Sequence, residues 1–193
     1  MEDAYAEDIT FDKTDFTAPG SVKGTYEYCT FTACNFSNAD LSGIKFIDCT
    51  FSGCNLSLCK LTDTVFRDIK FRECKMLGLR FDTCSAFGLS VSFENCVLHH
   101  SSFYQVKLKK TTFKNSALNE VDFTECDLTG SIFENCDLLK ALFENTIIEK
   151  ADFRSAINYA IDPDRNKIKK TRFGVQGLAG LLDKYDIEID RNY

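Results

Sequence analysis

The stretch Asn119-Glu120-Val121-Asp122-Phe123-Thr124-Glu125-Cys126-Asp127-Leu128-Thr129-Gly130-Ser131-Ile132-Phe133 places a large apolar residue at every fifth position. Outward from it the same phase runs back through Leu118, Phe113, Leu108, Phe103, Leu98 and Phe93, and forward through Leu138, Phe143, Ile148 and Phe153. Further upstream it holds at Phe11 and Phe16 and then from Tyr26 through Phe31, Phe36, Leu41, Phe46, Phe51, Leu56, Leu61, Phe66, Phe71, Met76 and Phe81. The two series are joined by a slip of two residues at Phe87-Gly88-Leu89-Ser90-Val91-Ser92, and of the 18 Phe residues only Phe87 is off register. With the large residue called i, position i−2 is mostly small, as at Cys29, Cys34, Ala39, Cys126, Ser131 and Ala141.

A five-residue period suits neither regular element. On an α-helix five residues advance about 500°, so the large positions scatter around the axis. In an unbroken strand alternate large residues point to opposite faces. Every i points inward only if the chain turns once per five residues, with i and i−2 inside and i−1, i+1 and i+2 in solvent. A coil of that kind, stacked on itself, is an all-β solenoid.

Length and composition agree. The 193 residues suit one domain, with 44% hydrophobic content, 18 Phe and no Trp, a skew expected when one local environment recurs. The start, Met1 to Asp8, has neither a basic nor an apolar segment of a signal peptide, and no apolar run approaches a membrane span. A cytoplasmic protein without membrane contact is expected.

The units Ala39-Asp40-Leu41-Ser42-Gly43 and Cys126-Asp127-Leu128-Thr129-Gly130 resemble the A(D/N)LXX repeat of pentapeptide-repeat proteins, over roughly residues 11–173. The resemblance implies a right-handed quadrilateral β-helix with four repeats per coil, here residues 1–173, closed by residues 174–193 as an α-helical cap and short strand. Twenty residues per coil stack Phe93, Phe113, Phe133 and Phe153 on one face and Phe103, Phe123 and Phe143 on the opposite one. Seven or so coils then make a rod of roughly 35 Å.

The ten cysteines all fall on i−2, which makes them small core fillers and not a disulfide framework. Cys96, His99 and His100 are no ligand set, since Cys96 points inward and both histidines outward; no CxxC pair exists. There is no phosphate loop, HExxH or GxSxG. Neither a cofactor nor an enzymatic activity is expected.

After Phe173 the pattern changes. Val175, Leu178, Leu181, Leu182 and Tyr185 recur at helical spacing, and Asp186-Ile187-Glu188-Ile189 alternates like a strand. These residues are expected to cap the coil and to join two copies. The ending Gly180 to Ile189, with Asn158-Tyr159 before it, resembles that of Qnr-type quinolone-resistance proteins and mycobacterial MfpA. From Glu120 to Asp152 the acids Glu120, Asp122, Glu125, Asp127, Glu134, Asp137, Glu144, Glu149 and Asp152 face only Lys140 and Lys150, while Lys107, Lys109, Lys110 and Lys114 form a basic waist before them. The overall charge of −6 disfavours direct nucleic-acid binding. The Qnr and MfpA resemblance implies an acidic, DNA-mimicking homodimer that binds type II topoisomerase (DNA gyrase or topoisomerase IV) and protects it from quinolone-like inhibitors. The other reading is a non-enzymatic interaction scaffold unrelated to topoisomerase.

Overall fold

The chain can turn every five residues because two positions of each repeat are suited to a corner. The computed structural model, which describes residues 4–190, puts residue i+2 in the left-handed region at most corners, as at Asn38 (φ 59°), Lys110 (φ 59°), Glu120 (φ 57°) and Asn135 (φ 52°). That region penalises β-branched side chains most, and none of the non-glycine residues found there is Val, Ile or Thr. Position i−1 braces the same corner. Asp40, Asp122, Asp127 and Asp152 accept the backbone N–H of Ser42, Thr124, Thr129 and Arg154 at 3.0, 2.8, 3.1 and 3.1 Å. Each is an Asx turn, so the Asp or Asn that precedes the large residue is a structural element.

The coils stack in parallel. Phe113 pairs with Phe93 and Phe133, twenty residues to either side. Successive large positions define four faces in order: face 1 with Phe93, Phe113 and Phe133; face 2 with Leu98, Leu118 and Leu138; face 3 with Phe103, Phe123 and Phe143; face 4 with Leu108, Leu128 and Ile148. Face 1 carries a nine-stranded sheet from Thr10–Asp12 to Arg172–Phe173. Its eight steps of ~4.8 Å give a rod of ~38 Å. Upstream, face 4 carries a four-stranded sheet made of Tyr5–Glu7, Thr25–Glu27, Lys45–Ile47 and Val65–Arg67.

The core is built of ring columns. On face 1 Phe93, Phe113, Phe133 and Phe153 stack at 5.1, 4.8 and 4.4 Å between centroids. On face 3 Phe103, Phe123 and Phe143 stack at 5.4 and 5.2 Å, and the two columns meet edge to face, as for Phe123 and Phe133 at 89°. The i−2 residues do more than fill space. Thiols and hydroxyls there donate to the carbonyl of the large residue 23 positions back: Cys59 Sγ to Phe36 O at 2.9 Å, Thr64 Oγ1 to Leu41 O at 2.8 Å, Thr146 Oγ1 to Phe123 O at 2.8 Å. Inward-pointing donors thereby tie one coil to the next. All ten cysteines are free thiols; nine are buried and Cys84, beside the slip, is half-buried.

At the slip Phe71 pairs with Phe93 and Phe81 stacks on Phe103, 22 residues apart. The two extra residues form a loop with Phe87 81% exposed at its tip. The second aromatic column changes faces there, from Tyr26, Phe46 and Phe66 on face 4 to Phe81 and its successors on face 3.

The tail differs from expectation in two respects. It is wound as 3₁₀ turns, Val175–Leu181 and Asp183–Tyr185, in place of an α-helix. The cause is Gly174, Gly177 and Gly180. A Cβ on these residues would lie 2.3 Å from Arg154 O, 2.0 Å from Tyr159 Oη and 1.9 Å from Tyr159 O, so all three press on the last coil. Residues three apart eclipse in a 3₁₀ turn but drift round an α-helix, and only the former keeps the glycine edge in contact. The alternating Asp186–Ile189 forms no strand.

Candidate partner-binding surfaces

A rod of this kind offers two sorts of surface, its four sides and its capped end. The nine acids grouped by sequence do not share a side. Glu134 and Asp152 lie on face 1, Glu120 and Asp137 on face 2 and its edge, Asp122, Glu125 and Glu144 on face 3, and Asp127 and Glu149 on face 4. Thirty-three residues wrap more than one and a half coils, so a block of charge along the chain becomes a belt around the rod.

Most of these acids are also engaged. Asp152 is paired with Arg154 at 2.8 Å and Arg172 at 3.1 Å, Asp127 with Lys109 at 3.1 Å, Glu144 with Arg165 at 3.1 Å, and Glu120 with His100 at 3.4 Å. Asp137 accepts from Asn158 Nδ2 at 2.8 Å and Glu125 from Gln105 Nε2 at 2.7 Å. On face 1 Lys114 lies 3.6 Å from Glu94 and 4.0 Å from Glu134, an alternating ladder. The Arg154 hydrogen bond holds the Asp152 carboxyl below its ordinary value. At Asp127 burial pushes the pKa up, but hydrogen bonds from Thr129 and Lys109 outweigh it and the net shift is downward. The acids at i−1 are thus corner braces first and surface charge second.

Face 3 comes nearest to an acidic side. Asp122, Glu125 and Glu144 are continued towards the tail by Asp162 and Asp164, which the block of nine left out. Lys184 of the tail binds Asp162 at 2.6 Å and also reaches Asp164, and this clasp holds the tail on the rod.

The end is apolar. Leu181 packs against the core, and Ile161 N–H bonds Gly180 O at 2.9 Å. Val175, Leu178, Leu182 and Tyr185 remain exposed, Val175 at 85%, so of the five residues expected to cap or dimerise only Leu181 closes the coil. A cleft of about 410 Å³ between last coil and tail is lined by Arg154, Asn158, Tyr159, Gly174 and Gly177. Among the described residues no group of three His, Cys, Asp or Glu is placed to hold a metal ion, and no helix is long and apolar enough to cross a membrane.

These features define a four-sided parallel β-solenoid with braced corners and a glycine-seated tail. The chain belongs to the pentapeptide-repeat family: the model of the pentapeptide repeat region matches residues 25–87 and 89–160. Its fold is similar to that of QnrB1, a plasmid-mediated fluoroquinolone resistance protein. A trypsin-treated, singly substituted form of QnrB1 superposes with a TM-score of 0.63 at 19% identity, covering 96% of this chain and 98% of that one. Full-length QnrB1 gives a TM-score of 0.54 at 19% identity, covering 95% and 100%. No curated relative matches the chain in sequence.

Proposed function

We propose that the chain is a non-enzymatic, cytoplasmic rod that pairs tail to tail, binds type II topoisomerase (DNA gyrase or topoisomerase IV) and protects it from quinolone-like inhibitors. The observation that carries this reading is the end-to-end likeness of its fold to a fluoroquinolone resistance protein, joined with an apolar tail surface that the single chain leaves uncovered. Face 3, where Asp122, Glu125, Glu144, Asp162 and Asp164 outnumber Arg165 and Lys184, is the side whose net negative charge would meet a groove evolved for DNA. One subunit spans about eleven base pairs at 3.4 Å per pair, so the acidic side acts as a longer duplex only through the dimer junction. The test is a gyrase supercoiling assay with and without ciprofloxacin, titrating the protein. Relief of ciprofloxacin inhibition is expected from the native chain and not from Asp122→Lys/Glu125→Lys/Glu144→Lys. No relief at any concentration refutes the reading.

A second reading, an interaction scaffold with no topoisomerase role, is favoured by the spread of the acids over all four faces. It predicts a protein without effect on gyrase, whatever its oligomeric state.

A further inference from the structure

The charge missing from an acidic side reappears, with opposite sign, on the tail-proximal half of face 4. Lys107, Lys109 and Lys110 form one row, and Lys167, Lys169 and Lys170 form another three coils away. Lys150 lies between them, one coil from the second row. The rows are in register, because Lys107, Asp127, Ile147 and Lys167 are bridged in sequence through the backbone. All seven lysines are exposed. The same area holds two carboxylates, Asp127 and Glu149. Asp127 is turned into its corner by Thr129, with its side chain only 15% exposed against Lys109. Among the described residues Lys107, Lys110, Lys150, Lys167, Lys169 and Lys170 make no ion pair, whereas Lys60, Lys114 and Lys184 elsewhere do.

We propose that this lysine face binds the phosphodiester backbone of a nucleic-acid duplex. Two rows of three ammonium groups, three steps of ~4.8 Å apart, are separated by ~14 Å. That distance is close to the ~12 Å width of the major groove of duplex DNA, so each row meets the phosphates of one strand. The face between them is flat, with Gly130 and Thr129 at its centre and no element able to enter a groove. Contacts are therefore with phosphates, and binding is independent of sequence and steeply dependent on salt. An acidic polypeptide is less well matched, because a single extended chain supplies one line of charge and leaves one row unused. The N-terminal half of the same face is net acidic, with Glu7, Asp8, Glu27, Asp48 and Asp68 against Lys45 and Arg67, which confines the contact to the tail-proximal coils. This inference does not depend on the topoisomerase reading, and it places duplex and acidic side on adjoining faces of one rod.

The experiment is fluorescence anisotropy of a labelled DNA duplex of about 20 base pairs titrated with the full-length protein between about 50 and 200 mM salt. The expected result is micromolar-range binding at the low end, with log K falling against log salt at a slope of about −4 to −5 for five or so neutralised phosphates. The variant Lys107→Glu/Lys110→Glu/Lys167→Glu/Lys169→Glu should bind at least about tenfold more weakly, with a slope shallower by about 3–4. Lys13→Glu/Lys60→Glu/Lys70→Glu/Lys75→Glu makes the same change in net charge at exposed positions on the other faces and should leave the slope nearly unchanged. Equal weakening by both variants would show a net-charge effect and overturn the proposal. So would no binding at the lowest salt, or displacement of the duplex by polyglutamate at equal charge concentration.

Discussion

Replacing Asp127 by Ala and by Asn separates the two tasks of an acid at position i−1. Asp127 accepts Thr129 N–H at 3.1 Å and Thr129 Oγ1–H at 2.6 Å, and pairs with Lys109 at 3.1 Å. The Ala variant removes a cap-like bond from a corner N–H, worth about 0.5–2 kcal/mol, and a partly screened ion pair worth about 0–1 kcal/mol. A loss of about 1.5 kcal/mol at neutral pH is expected. The Asn variant keeps an acceptor for Thr129 and should lose about 0.5 kcal/mol, the ion pair alone. Because the carboxyl is held below its ordinary value in the folded chain, its contribution is fully present above the unfolded value of about 3.9. It is lost as pH falls through the lower folded value. The gap between native and Ala chains should therefore narrow only below about pH 4. Urea unfolding from neutral pH to about pH 2.5 reads both effects. An Asn variant as unstable as the Ala variant, or a gap indifferent to acid, would refute the corner-brace account.

Phe123→Ala should cost about 3–5 kcal/mol, because the ring is fully buried between Phe103 and Phe143; a cost under about 1 kcal/mol would mean the column does not carry the core. Burial pushes the Cys49 thiol up to about 11 and those of Cys59, Cys84 and Cys136 to about 12, so these four thiols should label slowly at neutral pH. As the unfolded chain ionises at about 8.5 while the folded chain keeps its protons, urea stability should fall above that pH; rapid labelling or a flat profile would contradict this. If the chain pairs through its tail, Leu178→Asp/Leu182→Asp should give a monomer with intact coils by sedimentation and circular dichroism, and on the topoisomerase reading that monomer should not protect gyrase. A variant that stays dimeric would remove the tail from the interface.

The solenoid and its inward positions are legible in the residue order, because a five-residue apolar period admits one arrangement in which every large side chain escapes water. Phe123 could be assigned to the core, Asp127 to the outside, and Phe87 to a projection without coordinates. The apolar positions of the tail were legible too, but its winding was not. Gly174, Gly177 and Gly180 are spaced for a 3₁₀ edge, and that spacing acquires meaning only against the backbone of Tyr159 and Arg154, which it must approach.

The charged surfaces depended on the tertiary structure. Asp122 and Asp127 are five residues apart in the chain yet stand on different sides of the rod. Lys107 and Lys167 are sixty apart yet lie in one column. Electrostatic potential adds over distance in space and decays within about 8 Å at physiological salt. The sign of a face is therefore set by the residues that recur every coil, including the 22-residue coil that shifts all later positions. The period alone settled what lies inside and what lies outside, because burial is decided one residue at a time. Which charges act together was decided by the winding, because only the stacked coils bring Lys107 and Lys167 onto one surface while turning Asp127 between them into its corner.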